Sequence, residues 1–470
     1  MRFSHILPYA ALASAFIIPD EKVMSQIAIE SHESSESTWD ILPSKESLLH
    51  GIEETFSKIG GCSKNAFDAA VEFAQESLET VTESFEEEDF DTDAWLEEAD
   101  AEILDDHHDH PHHPPHKRPG KPGKHPKHGK GHHHKSNLTV FQLIAGSKYT
   151  TKLAKLVSEY DDLVELLNGT AANYTVFAPV DKAFEKIPKH VKPSKEFLKK
   201  LLTYHVSGDF YPAGRVLVSH TIPTLYSEDL LGGEAQRLST SIGFGGLKVN
   251  FYSRVVAVNI FGTNGVIHGV DSILIPPPKA AKILDLLPGE FSTLELALVK
   301  TGLLPAINDT STHTGGTLFA PSNFAFKKLG PRINGFLFSR RGLKYLKALL
   351  LYHVSANRTL YSDAYYGAKG VDQTNIPKGV FHVDLPTLLE DKALSIDVAR
   401  YGRFISFKIN AFTTVAVLDG IAKDGVIHVV PNVLIPPKTV DGQTVHWEGE
   451  ELTEEELIER LESFVEKPEL

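Results

Sequence analysis

The chain has 470 residues, 41% hydrophobic and 23% charged, with a formal net charge of -15. That length exceeds one ordinary core and suits two or three domains. The negative balance excludes nucleic acid as the main partner, because phosphate recognition needs a basic face. The single cysteine excludes an internal disulfide, so the domains must be held by apolar burial.

Residues 1–15 read as a signal peptide. Arg2 supplies the positive end, Ile6 to Ala15 form a short apolar run interrupted by Pro8, and Ala13-Ser14-Ala15 offers a small-x-small cleavage site. No other stretch reaches the roughly 18 apolar residues of a transmembrane span. The acidic C-terminus does not support a glycolipid anchor. Residues 16–85 form an N-terminal extension that is Ser/Glu-rich up to about residue 60. Within it, Phe67, Ala70, Val71, Ala74, Leu78, Val81 and Phe85 recur at helical spacing and predict an amphipathic helix over 62–85. Such a helix needs a partner surface. Cys62, at its start, is either a buried small apolar residue or one half of an intermolecular disulfide.

Residues 83–106 hold thirteen Asp and Glu and no Lys or Arg, and residues 107–135 reverse the charge with eleven His, seven Lys or Arg, six Pro and four Gly. Like charges and Pro/Gly at this density cannot offset the entropy of ordering, so 86–136 is expected to be a disordered linker. His107, His108, His110, His112, His113 and His116 form one cluster, and His132, His133 and His134 another. Neutral imidazoles bind Zn, Cu or Ni, and a flexible tract can wrap such an ion, weakly and without selectivity. Protonation near pH 6.5 would instead raise the tract from about +6 towards about +17 and favour anionic surfaces at acidic pH. A solvated spacer is the third reading.

From about Asn137 three blocks occur twice in one order. YTVFAPVDKAFEKI at 174–187 matches GTLFAPSNFAFKKL at 316–329. LKKLLTYHV at 198–206 matches LKALLLYHV at 346–354. NGVIHGVDSILIPPP at 264–278 matches DGVIHVVPNVLIPPK at 424–438. The offsets are 142, 148 and 160, so the second copy carries insertions. A period this long means tandem domains rather than a solenoid.

The first block predicts a strand stopped by Pro179 or Pro321. A helix follows, started by Asp181 or Asn323, with Ala183-Phe184 and Ala325-Phe326 facing inward. The second predicts a helix whose inner face includes His205 or His353. The Tyr-His pairs invite a catalytic reading, but no Ser/Asp or His/Glu partners recur at fixed spacing, and a buried histidine bonded to backbone is expected. The third predicts a strand pair: 255–260 or 414–418, then a turn at Asn264-Gly265 or Asp424-Gly425, then 266–270 or 426–430. Leu274-Ile275-Pro276 and Leu434-Ile435-Pro436 are expected to end the sheets. His268 and His428 read as structural.

FAPxxxAF, YHV after a Leu-rich helix, and GVIHxVxxxLIP resemble, in that order, the motifs of fasciclin-type (FAS1) domains, over about 285 of the 470 residues. Val180, Ser322 and Gly269 depart mildly from the pattern. The resemblance implies an α+β fold of two tandem FAS1 domains, at 137–277 and 290–438, each a wedge of two β-sheets with packed helices. It implies cell adhesion or an extracellular-matrix or cell-wall role, with cell-surface or matrix proteins and polysaccharides as partners, and it implies neither enzyme activity nor a cofactor. The arrangement is similar to fungal fasciclin-like proteins.

Five Asn-x-Ser/Thr sequons, at Asn137, Asn168, Asn173, Asn308 and Asn357, support export and glycosylation. Secretion to the cell wall or cell surface, or delivery to a vacuole lumen, is therefore expected. The junction 277–289 begins Pro277-Pro278 and predicts a restrained domain pair. In the acidic tail 448–470, Thr453 with Glu456 forms a capping box before Leu457, Leu461 and Phe464, so the tail is either a short docking helix or disordered.

Overall fold

The computed structural model describes residues 136–465 apart from 171–172, 188–192, 244–245, 368–373, 376–378, 391, 441–442, 446 and 448–451. The signal peptide, the 62–85 stretch, the acidic block and every histidine of the 107–134 tract lie outside the described residues.

The first module opens with helix α1 (Val140–Ala145), capped by Thr139 and Gln142 in a reciprocal capping box. Helices α2 (Thr151–Val157), α3 (Asp161–Asn168), α4 (Asp181–Glu185), α5 (Lys195–Tyr204) and α6 (Ala213–Val218) follow in order, interspersed with strands β1 (Tyr174–Pro179) and β2 (Val206–Ser207). Strands β3 (Thr221–Glu228), β4 (Glu234–Gly243), β5 (Gly246–Val249), β6 (Ser253–Gly262) and β7 (Gly265–Val270) complete it. The spatial order is β2-β1-β7-β6-β5-β4-β3, with β1 and β7 parallel and adjacent. These two strands are buried along almost their whole length, as a parallel pair covered on both faces must be.

The second module repeats this plan. Helix α7 (Ala280–Leu286) leads, then α8 (Pro288–Lys300), α9 (Leu303–Asn308), β8 (Gly316–Pro321), α10 (Asn323–Lys328), α11 (Gly330–Leu337) and α12 (Leu343–Leu351). Its central sheet runs β17 (Val417–Ala422), β18 (Gly425–Val430), β8, β9 (Val354–Ala356), with β8 and β18 parallel. A second four-stranded sheet comprises β13 (Gly379–Pro386), β14 (Ala393–Tyr401), β15 (Phe404–Ile409) and β16 (Thr413–Thr414). The insertions inferred from the offsets fall on α11 and on a small sheet that the first module lacks: β10 (Thr359–Leu360), β11 (Ala364–Tyr366) and β12 (Thr374–Asn375).

Several sequence expectations need correction. Residues 280–287 are not junction: Ile283, Leu284, Leu286 and Leu287 are buried in the second core. Asp181 and Asn323 do not cap their own helices, which Val180 and Ser322 precede. Their side chains accept from Lys152 N and Thr293 N at 2.8 Å and so tie α2 and α8 to α4 and α10. The expected strand 414–418 is broken, because Val415 N pairs with Phe407 O and Ala416 N with Val429 O, and β17 begins only at Val417. The sheets end at Val270 and Val430, before the Leu-Ile-Pro segments. Gly265 is required less by its turn than by its neighbour: a Cβ there would lie 2.2 Å from Tyr174 O, and one at Gly425 2.2 Å from Gly316 O.

The C-terminal alternatives resolve in favour of docking. Helix α13 (Glu454–Val465) is started by Thr453, whose hydroxyl accepts from Glu456 N at 3.1 Å, and its Leu457 and Leu461 are fully buried in the second core.

Candidate functional site

The four motif histidines are consumed by the fold. In His205, Nδ1 donates to Leu201 O at 2.7 Å while Nε2 accepts from Leu274 N at 2.9 Å. His353 repeats both bonds, to Leu349 O at 2.8 Å and from Leu434 N at 2.9 Å. His268 and His428 donate through Nε2 to Tyr211 O and Leu360 O, and their Nδ1 atoms face the amides of Asn259 and Asp419. Each ring is neutral with both nitrogens occupied, and burial holds all four at about 4. Tyr204 is likewise internal: its hydroxyl donates to Arg237 O at 2.9 Å and accepts from Asn250.

Asn137, Asn173, Asn308 and Asn357 are exposed, and Asn168 is half-buried with Oδ1 accepting from Thr139 Oγ1 at 2.7 Å. Asn137, Asn168 and Asn173 gather where α1, α3 and β1 meet. Asn264 fastens that corner by accepting from Val140 N and donating to Leu167 O and Gly169 O, each at 2.8 Å. The hydroxyl threonines of two sequons, Thr175 and Thr359, are buried and bonded inside the fold.

The most chemically distinctive assembly is one that the sequence motifs did not reveal, the polar seam between the modules. Asp363, just before β11, accepts from Thr221 N at 2.8 Å, from His220 N at 3.2 Å and from Thr221 Oγ1. Its other neighbour is Arg237, with Nη2 at 3.8 Å. The Arg237 guanidinium donates to Thr221 Oγ1 at 2.6 Å and to Tyr366 OH at 3.1 Å, and Tyr366 in turn donates to Ala235 O at 2.9 Å. From the β14–β15 turn, Arg403 reaches back to Leu217 O at 2.8 Å, Ser219 O at 3.1 Å and Thr240 O at 2.9 Å. Gln236 donates to Ala422 O at 3.0 Å. Around this seam Leu231, Tyr361, Ala364, Tyr366 and Val426 form an apolar cluster.

His220 and Asp419 meet inside the seam. The Arg403 carbonyl, 2.7 Å from Nε2, takes the Nε2 hydrogen, so Nδ1 faces Asp419 Oδ2 at 3.8 Å. Burial, then the Asp363 charge, pushes Asp419 up to about 6, against the pull of His220 and of the Ser362 bonds. Burial, then the Arg403 cation, holds His220 below its ordinary value. Desolvating this many charges is expensive, so the network contributes geometry and register more than net stability, while loss of any one member leaves another charge unpaired. The seam thus joins residues of the two modules that Pro277-Pro278 links in the chain. Its hydrogen-bond partners across the two modules sit 129 to 186 residues apart in the chain, and no local pattern announces them.

No helix of the described residues is long and apolar enough to cross a membrane. The Fasciclin domain family matches residues 148–276 and 289–436. "Aurofusarin biosynthesis cluster protein S" of Gibberella zeae is 32% identical over 332 residues, covering 67% of this chain and 81% of that protein. Stabilin-2 of Rattus norvegicus is 30% identical over 194 residues, covering 38% of this chain but only 13% of that protein. Among solved structures, a FAS1 domain pair from the insect cell adhesion molecule Fasciclin I covers 60% of this chain and 96% of that one, at 18% identity and a TM-score of 0.31. Two matches in tandem over more than half of its length place this protein in the fasciclin-domain family.

Proposed function

We propose that this protein is an exported, non-enzymatic adhesion or matrix module, a glycoprotein of the cell wall or cell surface whose partners are surface proteins and polysaccharides. One observation carries the reading. The four histidines that recur in both copies spend their hydrogen bonds inside the fold. The repeated motifs therefore build scaffolds, and recognition falls to the surfaces between them. The exposed sequon asparagines favour passage through a glycosylating compartment. A tagged full-length chain should be found in the medium, the wall fraction or a vacuole-like lumen, with a mass that drops on glycosidase treatment. Retention in the cytosol without a glycosidase shift would overturn the proposal. The fungal relative's name ties that protein to aurofusarin biosynthesis. Association with biosynthetic enzymes is therefore the outcome to look for if surface association fails.

The eleven histidines of 107–135 favour a second reading, weak Zn, Cu or Ni binding or acid-dependent attachment to anionic surfaces. Titration calorimetry of the three metals into the whole protein and into one lacking 107–134 separates this from a spacer. Binding that is lost with the tract supports the metal reading, and equal binding by both forms, or by neither, removes it.

A further inference from the structure

The two modules differ on one face where the fold makes no demand. Lys152 N to Asp181 Oδ1 in the first module and Thr293 N to Asn323 Oδ1 in the second are the same bond. Counting from it, Lys155, Ser158 and Lys182 of the first module correspond to Leu296, Val299 and Phe324 of the second. The first three are exposed polar residues. The second three are exposed too, at 48%, 56% and 58%, yet apolar. Leu296 and Val299 lie one helical step apart on the outer side of α8, away from its buried Phe291, Leu294 and Leu298. Ser292, one turn earlier, is bonded to Asn323, the residue before Phe324, so all three share one face. Lys328 Nζ lies 4.9 Å from the Phe324 ring, and exposed Lys300 and Lys327 follow Val299 and Phe324 within one helical turn in the chain, against the half-buried carboxylates Glu290 and Glu295. An apolar patch with a cationic rim fits an amphipathic helix whose polar side is acidic.

The chain carries such a segment. Residues 62–85 have the apolar stripe Phe67, Ala70, Val71, Ala74, Leu78, Val81 and Phe85, together with Asp68, Glu72, Glu76, Glu79 and Glu83 against the lone Lys64. Some 50 residues separate it from Ser136, a tether whose coil dimension is on the order of 40 Å and whose extended reach is far greater. We infer that residues 62–85 of this same chain dock as a helix on the α8–α10 face of the second module. Intramolecular tethering raises the effective concentration of so small a contact into a range where it forms.

The test is hydrogen–deuterium exchange of the full-length protein and of its Leu296→Lys, Val299→Ser, Phe324→Lys triple variant, each at two protein concentrations. The variant copies residues that the first module carries at the same positions, and an unchanged melting temperature confirms that it folds. The inference predicts amides of 62–85 exchanging at least about tenfold more slowly in the wild type than in the variant, independently of concentration. Fast exchange in both proteins, or equal protection in both, overturns it. Protection that grows with concentration overturns it in favour of a second copy as the occupant.

Discussion

The two modules share their interior bonds and differ in their surfaces. His205 and His353, His268 and His428, Asn264 and Asp424, and Asn250 and Asn410 occupy matching places and make matching contacts. Where the first module has helix α6 after Tyr211, the second has Asp363 and strand β11, and that segment closes on the first module. Where the first has Lys155, Ser158 and Lys182 outward, the second has Leu296, Val299 and Phe324. Duplication kept what folds and changed what touches.

If the shared interiors are equivalent, acid should weaken both modules, and this is the largest effect expected. A histidine held at about 4 in the fold and near 6.5 in the unfolded chain binds its proton more readily when unfolded. Stability is therefore fully present above pH 6.5 and is lost as pH falls through 4, by at most on the order of 3 kcal/mol per histidine. Asp419 acts in the opposite sense. Its raised value gives stability that is fully present below 3.8 and lost as pH rises through about 6. One group cannot reverse four. Urea unfolding between pH 7 and pH 4 should show a monotonic loss, and a flat profile would contradict the neutral, doubly bonded rings.

The unshared seam comes next. Arg237→Ala should cost about 3–5 kcal/mol, because it leaves Asp363 buried without its cation. Truncation of the exposed Arg332 is the control and should stay within about 0.5 kcal/mol. Smaller again, His205→Ala and His353→Ala should each cost about 2–4 kcal/mol, since each strands a buried amide and opens a cavity. The comparison requires the two losses to agree within about 1 kcal/mol, and chemical denaturation of the two variants measures it. At the small end, Leu296→Lys should move stability by less than about 0.5 kcal/mol, because the residue is half exposed and its counterpart is already lysine. A larger loss would mean that the apolar face is needed for folding rather than for docking.

The interior was readable from sequence because its determinants are local or repeated. The β-branched run before each FAP, the Leu-spaced helix before each YHV and the Asn-Gly or Asp-Gly turn all announce themselves within a dozen residues. The first helix of the second module was missed because Ala280–Leu286 follows Pro277-Pro278 and is too short for its periodicity to stand out. The seam was missed for a different reason. Asp363, Arg237 and His220 lie in unrepeated segments, Asp419 stands where the first module has Asn259, and nothing within a window of sequence says that a lone Asp will meet two backbone amides from another module. The docked α13 was half visible: its cap and stripe were legible, but the core that receives Leu457 and Leu461 was not.

Scanning calorimetry of the full-length protein beside Asp363→Ala measures most directly whether unrepeated residues join two repeated folds into one unit. The wild type should melt in a single cooperative transition at neutral pH, and Asp363→Ala should split it into two. Two resolved transitions in the wild type, or a single undivided one in the variant, would contradict the account.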